Sequence, residues 1–141
     1  MATLYKGWTL PEAGYRKFIS SVLAYALSRD LVRKKFEVVH EGHLDLHNPY
    51  SDTPDICVYD VDNNLEPVMI VELCFDSNEK ETLRNVEIIR EIYSIKEAFV
   101  YNIESDRWNR GRHFQSIQTS ISDLFKLELS ALLSRYLHRY I

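Results

Sequence analysis

The chain has 141 residues, of which 45% are hydrophobic and 27% are charged, with a formal net charge of −4 and a sequence pI near 5.7. This composition is typical of a single folded domain, here residues 1–141, and argues against disorder and against a protein that coats nucleic acid by bulk positive charge. Two cysteines and no apolar leader predict a reduced, cytoplasmic protein. No segment has about eighteen uncharged apolar residues in a row, so we expect no membrane partner.

The first predicted elements are a helix and a strand. Thr9, Pro11 and Glu12 form a capping signal, which predicts a helix that ends near residues 28–30. Its apolar residues recur at helical spacing: Tyr15, Phe18, Ile19, Val22, Leu23, Ala26 and Leu27. The β-branched and aromatic residues of Phe36–His40 then favour a strand.

Residues 54–74 predict two apolar strands joined by a polar turn. Each strand carries one acid, Asp55 or Glu72, where an apolar residue would be expected. If the turn is centred between Asn63 and Asn64, these acids are direct cross-strand neighbours with Cβ atoms roughly 4.5–5.5 Å apart. Because two adjacent carboxylates repel each other, the pair requires a metal ion, a shared proton or a nearby cation.

Four elements are predicted in the second half of the chain. Glu79 to about Tyr93 forms a helix, residues 98–103 form a strand, and their order favours a parallel crossover from the preceding strand. Residues 106–114 are predicted to be a basic, aromatic-rich loop or hairpin tip. The last element, about residues 122–140, is predicted to be an extended C-terminal helix whose apolar stripe could form a homodimer interface.

The hairpin strands also predict the fold class. Apart from the two acids, both faces of these strands are apolar, which is typical of strands in the middle of a sheet covered on both sides. The sequence therefore predicts an α/β protein: a three-layer sandwich with a small central mixed β-sheet flanked by helices.

The acid-bearing segments resemble a known nuclease signature. Pro54-Asp55 followed by Glu72-Leu73-Cys74 resembles the PD-(D/E)XK, or restriction-endonuclease-like, superfamily. The run 72–78, then a helix, then Glu97-Ala98-Phe99-Val100-Tyr101-Asn102 is most similar to the Uma-type endonuclease family, over roughly residues 36–108.

The resemblance implies a metal-dependent attack on DNA or RNA phosphodiesters. It implies that Asp55 and Glu72 hold one or two Mg²⁺ or Mn²⁺ ions, which activate a water and neutralise charge on the phosphate. The superfamily places a lysine where this chain has Cys74. Lys80 and Arg84 are the nearby candidates for a substitute catalytic cation.

A second candidate site lies in the basic, aromatic-rich stretch. Arg107, Trp108, Arg110 and Arg112 provide the cations and the aromatic ring that bind phosphates and unstacked bases. The alternative is a solvated hairpin tip with Trp108 in the core.

Each candidate also has a structural interpretation. Asp55 could be a turn residue, Glu72 could form a structural ion pair with an arginine such as Arg84, and Glu12 could be either a third acid or only a helix cap. The whole chain could be a non-catalytic nucleic-acid-binding or protein-assembly module of the same fold, or an unrelated α/β binding protein.

Overall fold

The computed structural model describes residues 2–4, 8–31, 34–112 and 115–139 of the chain. Its elements, in chain order, are β1 (Ala2–Leu4), β2 (Trp8–Leu10), α1 (Glu12–Leu31), β3 (Phe36–His40), β4 (Ile56–Asp60), β5 (Glu66–Cys74), α2 (Glu79–Tyr93), β6 (Glu97–Asn102), β7 (Arg107–Arg112), β8 (Gln115–Ile117), β9 (Ile121–Ser122), β10 (Leu127–Glu128) and α3 (Leu129–Leu137).

Six strands form one mixed sheet in the order β3-β4-β5-β6-β7-β8. β5 and β6 are parallel, and the other neighbouring pairs of this sheet are antiparallel. Side chains of α1 and α3 pack on one face of the sheet, and side chains of α2 pack on the other. The predicted three-layer α/β sandwich and its parallel crossover are both confirmed.

The two faces of the central strands enter different cores because side chains alternate along a strand. Ile56 and Val58 of β4 belong to the larger core with α1 and α3. Cys57 and Tyr59 belong to a smaller core that includes Val86 of α2. All four side chains are at most 2% exposed, which confirms strands that are buried on both faces.

The register of the β4–β5 hairpin determines how the acids face each other. Ile56 pairs with Val71 and Val58 with Met69, as predicted from the central position of the turn. The register then shifts, so that Tyr59 pairs with Pro67. This bulge lies between the turn and the acids, and the predicted register therefore holds at the acid end of the hairpin.

The extended C-terminal helix predicted over residues 122–140 is wrong, since α3 comprises only Leu129–Leu137. The carboxylate of Glu97 accepts hydrogen bonds from the Ser122 hydroxyl at 2.6 Å and the Asp123 amide at 2.7 Å, which fixes a turn before α3. Lys126 has a φ of 57°, a left-handed conformation that an α-helix cannot contain. A distant acid and a left-handed residue thus override the local helical periodicity.

The apolar stripe predicted to form a dimer interface is instead buried within the chain. Its members are at most 7% exposed and belong to the core that α3 shares with α1: Phe125, Leu129, Leu132, Leu133, Tyr136 and Leu137. Tyr140 lies outside the described residues. The described part of this stripe is therefore no exposed surface on which a second copy could dock.

The stretch predicted as a loop or hairpin tip over residues 106–114 is mainly a strand, which pairs antiparallel with its neighbours. β7 pairs with β6 on one side and β8 on the other, which provides its backbone with hydrogen-bonding partners despite its polar sequence. His113 and Phe114 lie outside the described residues. Within the described parts of the chain, no helix has the length and apolar character needed to cross a membrane.

Candidate active site

The two predicted acids lie together where β4 begins and β5 approaches its end. Ile56 pairs with Val71, so the next position in register places Asp55 opposite Glu72. The Asp55 amide donates to Glu72 Oε1 at 2.5 Å, and the Leu73 amide donates to Asp55 Oδ2 at 2.8 Å. Each carboxylate is therefore held in place by a backbone amide of the opposite strand. Asp55 is thus more than a turn-forming residue, because its side chain bonds across the sheet.

Arg16 of α1 is the cation that contacts both acids. Its Nε lies 3.1 Å from Asp55 Oδ1 and 3.0 Å from Oδ2, and a terminal nitrogen lies 3.3 Å from Glu72 Oε2. The Arg16 side chain is 40% exposed, whereas those of Asp55 and Glu72 are 9% and 17% exposed. The arrangement is a half-buried cation that covers two largely buried anions.

Sequence reasoning missed Arg16, although it required a partner for the acids. The available signal was its position beside Tyr15, at the border of the apolar face of α1. Ser20, one turn further along this border, is 1% exposed and its hydroxyl lies 2.7 Å from His40 Nε2. Arg16 and Ser20 are four residues apart and therefore lie on the same side of α1. Polar residues at this spacing beside an apolar face predict that this edge of the helix contacts a polar site.

Burial and charge alter the proton affinities at this site. The pKa of Glu72 is raised to about 7, first by desolvation and then by the neighbouring charge of Asp55, against the lowering effects of the Asp55 amide and Arg16. Desolvation acts to lower the pKa of Arg16, but the hydrogen bonds and charge of Asp55 outweigh it and raise that pKa overall. Arg16 is therefore positively charged at every physiological pH.

Cys74 occupies the position at which the resemblance expects a lysine, and it cannot take over the lysine's charge. The side chain is fully buried in the core beneath α2. Burial raises the pKa of its thiol to about 12, so that the thiol is neutral near pH 7. A neutral, enclosed thiol provides neither a cation nor a ligand for a hard metal ion.

The two cations predicted on α2 are exposed and lie elsewhere. Among the described side chains, neither Lys80 nor Arg84 forms an ion pair with Asp55 or Glu72. Arg84 instead lines an apolar cavity of about 530 Å³ with Ile88 and Ile92. The structural ion pair considered for Glu72 is formed with Arg16 rather than Arg84.

A cavity of about 550 Å³ opens beside the acid pair. Asp55, Arg16 and Lys17 line it, together with two further acids, Glu12 and Glu41. A second space of about 450 Å³ is lined by Glu72. We place the candidate site here rather than at the apolar cavity on α2, because this region holds the opposed acids and their cation.

The residues predicted to bind nucleic acid are mostly engaged within the fold. Arg107 pairs with Glu79 at 2.5 Å, and Arg110 pairs with Asp123 at 3.0 Å. Trp108 is 5% exposed and stacks on Tyr101 with ring centroids 4.4 Å apart. Trp108 is therefore a core residue, as the alternative interpretation expected, and its predicted role in stacking on a base is corrected. The backbone of Arg112 belongs to β7, and its side chain lies outside the described part of the structure.

These features define a restriction-endonuclease-like fold, with opposed acids on adjacent strands of the central sheet. In particular, the structure is similar to a crystal structure from Anabaena variabilis ATCC 29413 described as "a putative nuclease belonging to DUF820", with a TM-score of 0.68 and 14% sequence identity. The similarity covers 92% of this chain and 88% of that chain. No protein-family model and no curated protein matches the sequence. At this identity the comparison establishes the shared fold.

Proposed function

We propose that the chain is a nuclease-like protein that acts on DNA or RNA phosphodiesters, with Mg²⁺ or Mn²⁺ held by Asp55 and Glu72. The observation that carries this proposal is the direct opposition of the two acids, each fixed by a backbone amide of the other strand. The similar structure, described as "a putative nuclease", supports it. A Uma-type relationship, with Cys74 at the lysine position, is part of the same proposal.

The donor chemistry of the acid pair fits a hard divalent cation. Mg²⁺ retains several waters and is commonly bound through one or two carboxylates together with substrate phosphates. Among the described residues, no group of three or more histidine, cysteine or acidic side chains is placed to hold a metal ion. The ion would therefore take its remaining ligands from water and from the phosphate of the substrate. When bound, the ion would supply an activated water and charge neutralisation at the phosphate.

The chain's own residues have three roles in this proposal. The amides of Asp55 and Leu73 hold the carboxylates at fixed positions on the two strands. Without an ion, Arg16 supplies the positive charge beside them that we expected from Lys80 or Arg84. Lys17 lines the adjoining cavity and provides a second cation for a phosphate group.

A thermal-shift titration tests the metal site. Mg²⁺ or Mn²⁺ should raise the Tm of the wild type because the ion binds the folded state, and Glu72→Gln should abolish the rise. Glu66→Gln is the matched control, since it removes the same charge from an exposed position at the start of the same strand. No rise in the wild type, or the same rise in Glu72→Gln, overturns the proposed metal site.

A cleavage assay tests the chemistry. Plasmid DNA, single-stranded DNA and RNA are incubated with Mn²⁺ and wild-type protein, Asp55→Asn, Glu72→Gln or Glu66→Gln, with EDTA as the blank. We expect metal-dependent cleavage by the wild type and Glu66→Gln only. Cleavage that persists in Glu72→Gln identifies a contaminant or another site.

The second candidate function is a non-catalytic nucleic-acid-binding or assembly module. It is favoured by a specific observation: Arg16 neutralises part of the acid pair without any ion, and Cys74 adds no charge. Metal binding without cleavage of any of the three substrates would support it.

Nucleic-acid binding is tested by substitution of an arginine of β7. Arg107 keeps 40% of its side chain exposed despite its ion pair, so Arg107→Ala should weaken binding and reduce the salt dependence of the affinity. Arg135→Ala is the control, because Arg135 is an exposed arginine of α3 that pairs with Asp30. Equal losses in both variants would indicate non-specific charge attraction.

A further inference from the structure

We propose that Arg16 is a built-in counter-cation that competes with the divalent ion for Asp55 and Glu72, so that the Arg16 ion pairs and the bound metal exclude each other. The proposal rests on the metal site proposed above and adds how occupancy of that site is controlled. Metal binding would require Arg16 to leave the acids and turn into the adjoining cavity.

The contacts of the individual oxygens support this exclusion. Asp55 Oδ2 and Glu72 Oε1 each accept a hydrogen bond from a backbone amide. The other two oxygens, Asp55 Oδ1 and Glu72 Oε2, have Arg16 as their hydrogen-bonding partner among the described groups. Arg16 Nε also lies 3.0 Å from Asp55 Oδ2, so Arg16 contacts three of the four carboxylate oxygens, including both that accept no backbone amide. Those two oxygens are the best placed to bind an ion.

Electrostatics makes simultaneous occupancy unfavourable. A divalent ion on the same carboxylates would lie within a few ångströms of the guanidinium, where like charges repel by several kcal/mol at an effective dielectric near 20. With both carboxylates ionised, Arg16 and the two acids carry a net charge of −1, so the site without metal is largely neutralised. The ion must therefore displace a cation rather than fill an uncompensated anionic pocket.

The structure offers Arg16 an alternative position. Its side chain is 40% exposed, and the cavity of about 550 Å³ that it lines is also lined by Glu12. Glu12 lies one turn earlier on α1, the spacing at which an acid followed by a base forms a favourable pair on a helix. Because the acids on the sheet are fixed by backbone amides, the proposed exchange moves Arg16 rather than the acids.

The test is the Mn²⁺ affinity of the full chain, measured by calorimetry for wild type, Arg16→Gln and Arg29→Gln. Arg29 is an exposed arginine at the end of the same helix and serves as the control. We expect Arg16→Gln to bind Mn²⁺ roughly ten-fold more tightly or better, because one repelling charge is removed. Arg29→Gln should bind with the wild-type affinity.

The outcomes separate this proposal from the proposed function. Equal or weaker binding by Arg16→Gln, with clear binding by the wild type, overturns the competition and leaves the metal site intact. No binding by either protein overturns both. Tighter binding by Arg16→Gln supports both.

A second measurement uses only the wild-type protein, so its result does not depend on whether a variant folds. In wild-type protein, the Nε–H signal of Arg16 can be followed by NMR during titration with Mg²⁺. Competition predicts that this proton loses its protection from solvent exchange as the ion binds. A signal that stays protected at saturating Mg²⁺ overturns the proposal.

Discussion

The backbone amide of Asp55 donates a hydrogen bond to the side chain of Glu72, with the nitrogen 2.5 Å from Oε1. The Asp55 carboxylate in turn accepts from the amide of Leu73, the residue that follows Glu72. The acids are thus part of the hydrogen bonding between the two strands. Substitutions at these positions should affect stability as well as chemistry, and the two effects must be measured separately.

Glu72→Gln should change how stability depends on pH. The pKa of Glu72 is raised from 4.5 to about 7 in the folded protein, mainly by burial. The stability that this group contributes is fully present below the unfolded-state value and is lost as pH rises towards about 7. Gln keeps an oxygen for the Asp55 amide without the buried charge. In EDTA, the Tm of the variant should therefore exceed that of the wild type at pH 8 by more than it does at pH 4. A pH-independent difference in Tm would contradict this expectation.

Glu97→Ala should destabilise the segment that leads into α3. The Glu97 carboxylate is 7% exposed and accepts from the Ser122 hydroxyl and the Asp123 amide, and its Oε2 also lies 3.8 Å from Arg110. Loss of these charged hydrogen bonds should lower the free energy of unfolding by about 3 kcal/mol, measured by urea denaturation. Ser122→Ala removes one partner only and should cost about 1 kcal/mol. Equal costs would show that Glu97 does not organise the turn.

Trp108→Ala should act on stability. Removal of this buried indole, which stacks on Tyr101, should cost about 3–5 kcal/mol of unfolding free energy. Trp108→Phe should cost much less, because the indole Nε1 has no hydrogen-bond partner among the described groups. Nucleic-acid affinity of the folded Phe variant should equal that of the wild type. A selective loss of affinity in that variant would restore the predicted binding role.

Both cysteines should be inert in the native protein. Burial raises the pKa of Cys57 and of Cys74 to about 12, and both side chains are fully buried. A thiol reagent at pH 8 should therefore modify neither residue until urea unfolds the chain. Rapid modification of Cys74 in the native protein would show that the position expected to hold the lysine is open to solvent.

Local pattern predicted most of the sheet. The acid-bearing hairpin was predictable because apolar residues fill both faces of its strands and Asn63 and Asn64 mark its turn. The bounds of α2 were also predicted, as its first turn is acidic and its inward face is regular. Alternation along a strand and helical periodicity are local properties that a single sequence displays.

Long-range contacts set the features that the sequence did not reveal. Arg16 lies 39 positions from Asp55 along the chain, so no spacing rule connects them. The helix predicted from residue 122 is interrupted because the Glu97 carboxylate, 25 positions away, holds Ser122 in a turn. β7 is a strand because it has neighbours on both sides, although its sequence is polar. In each case a distant partner outweighs the local preference.

The bulge between Val58 and Tyr59 divides the hairpin into two ladders. The paired residues from Ile56 to Val58 fix the position of the acids. The loop that begins at Val61 is attached to the other set of paired residues, beyond the bulge. An added residue in that loop can be accommodated beyond the bulge, without turning Asp55 to the opposite face of the sheet. The loop is therefore a suitable insertion point for a peptide tag or a spectroscopic probe.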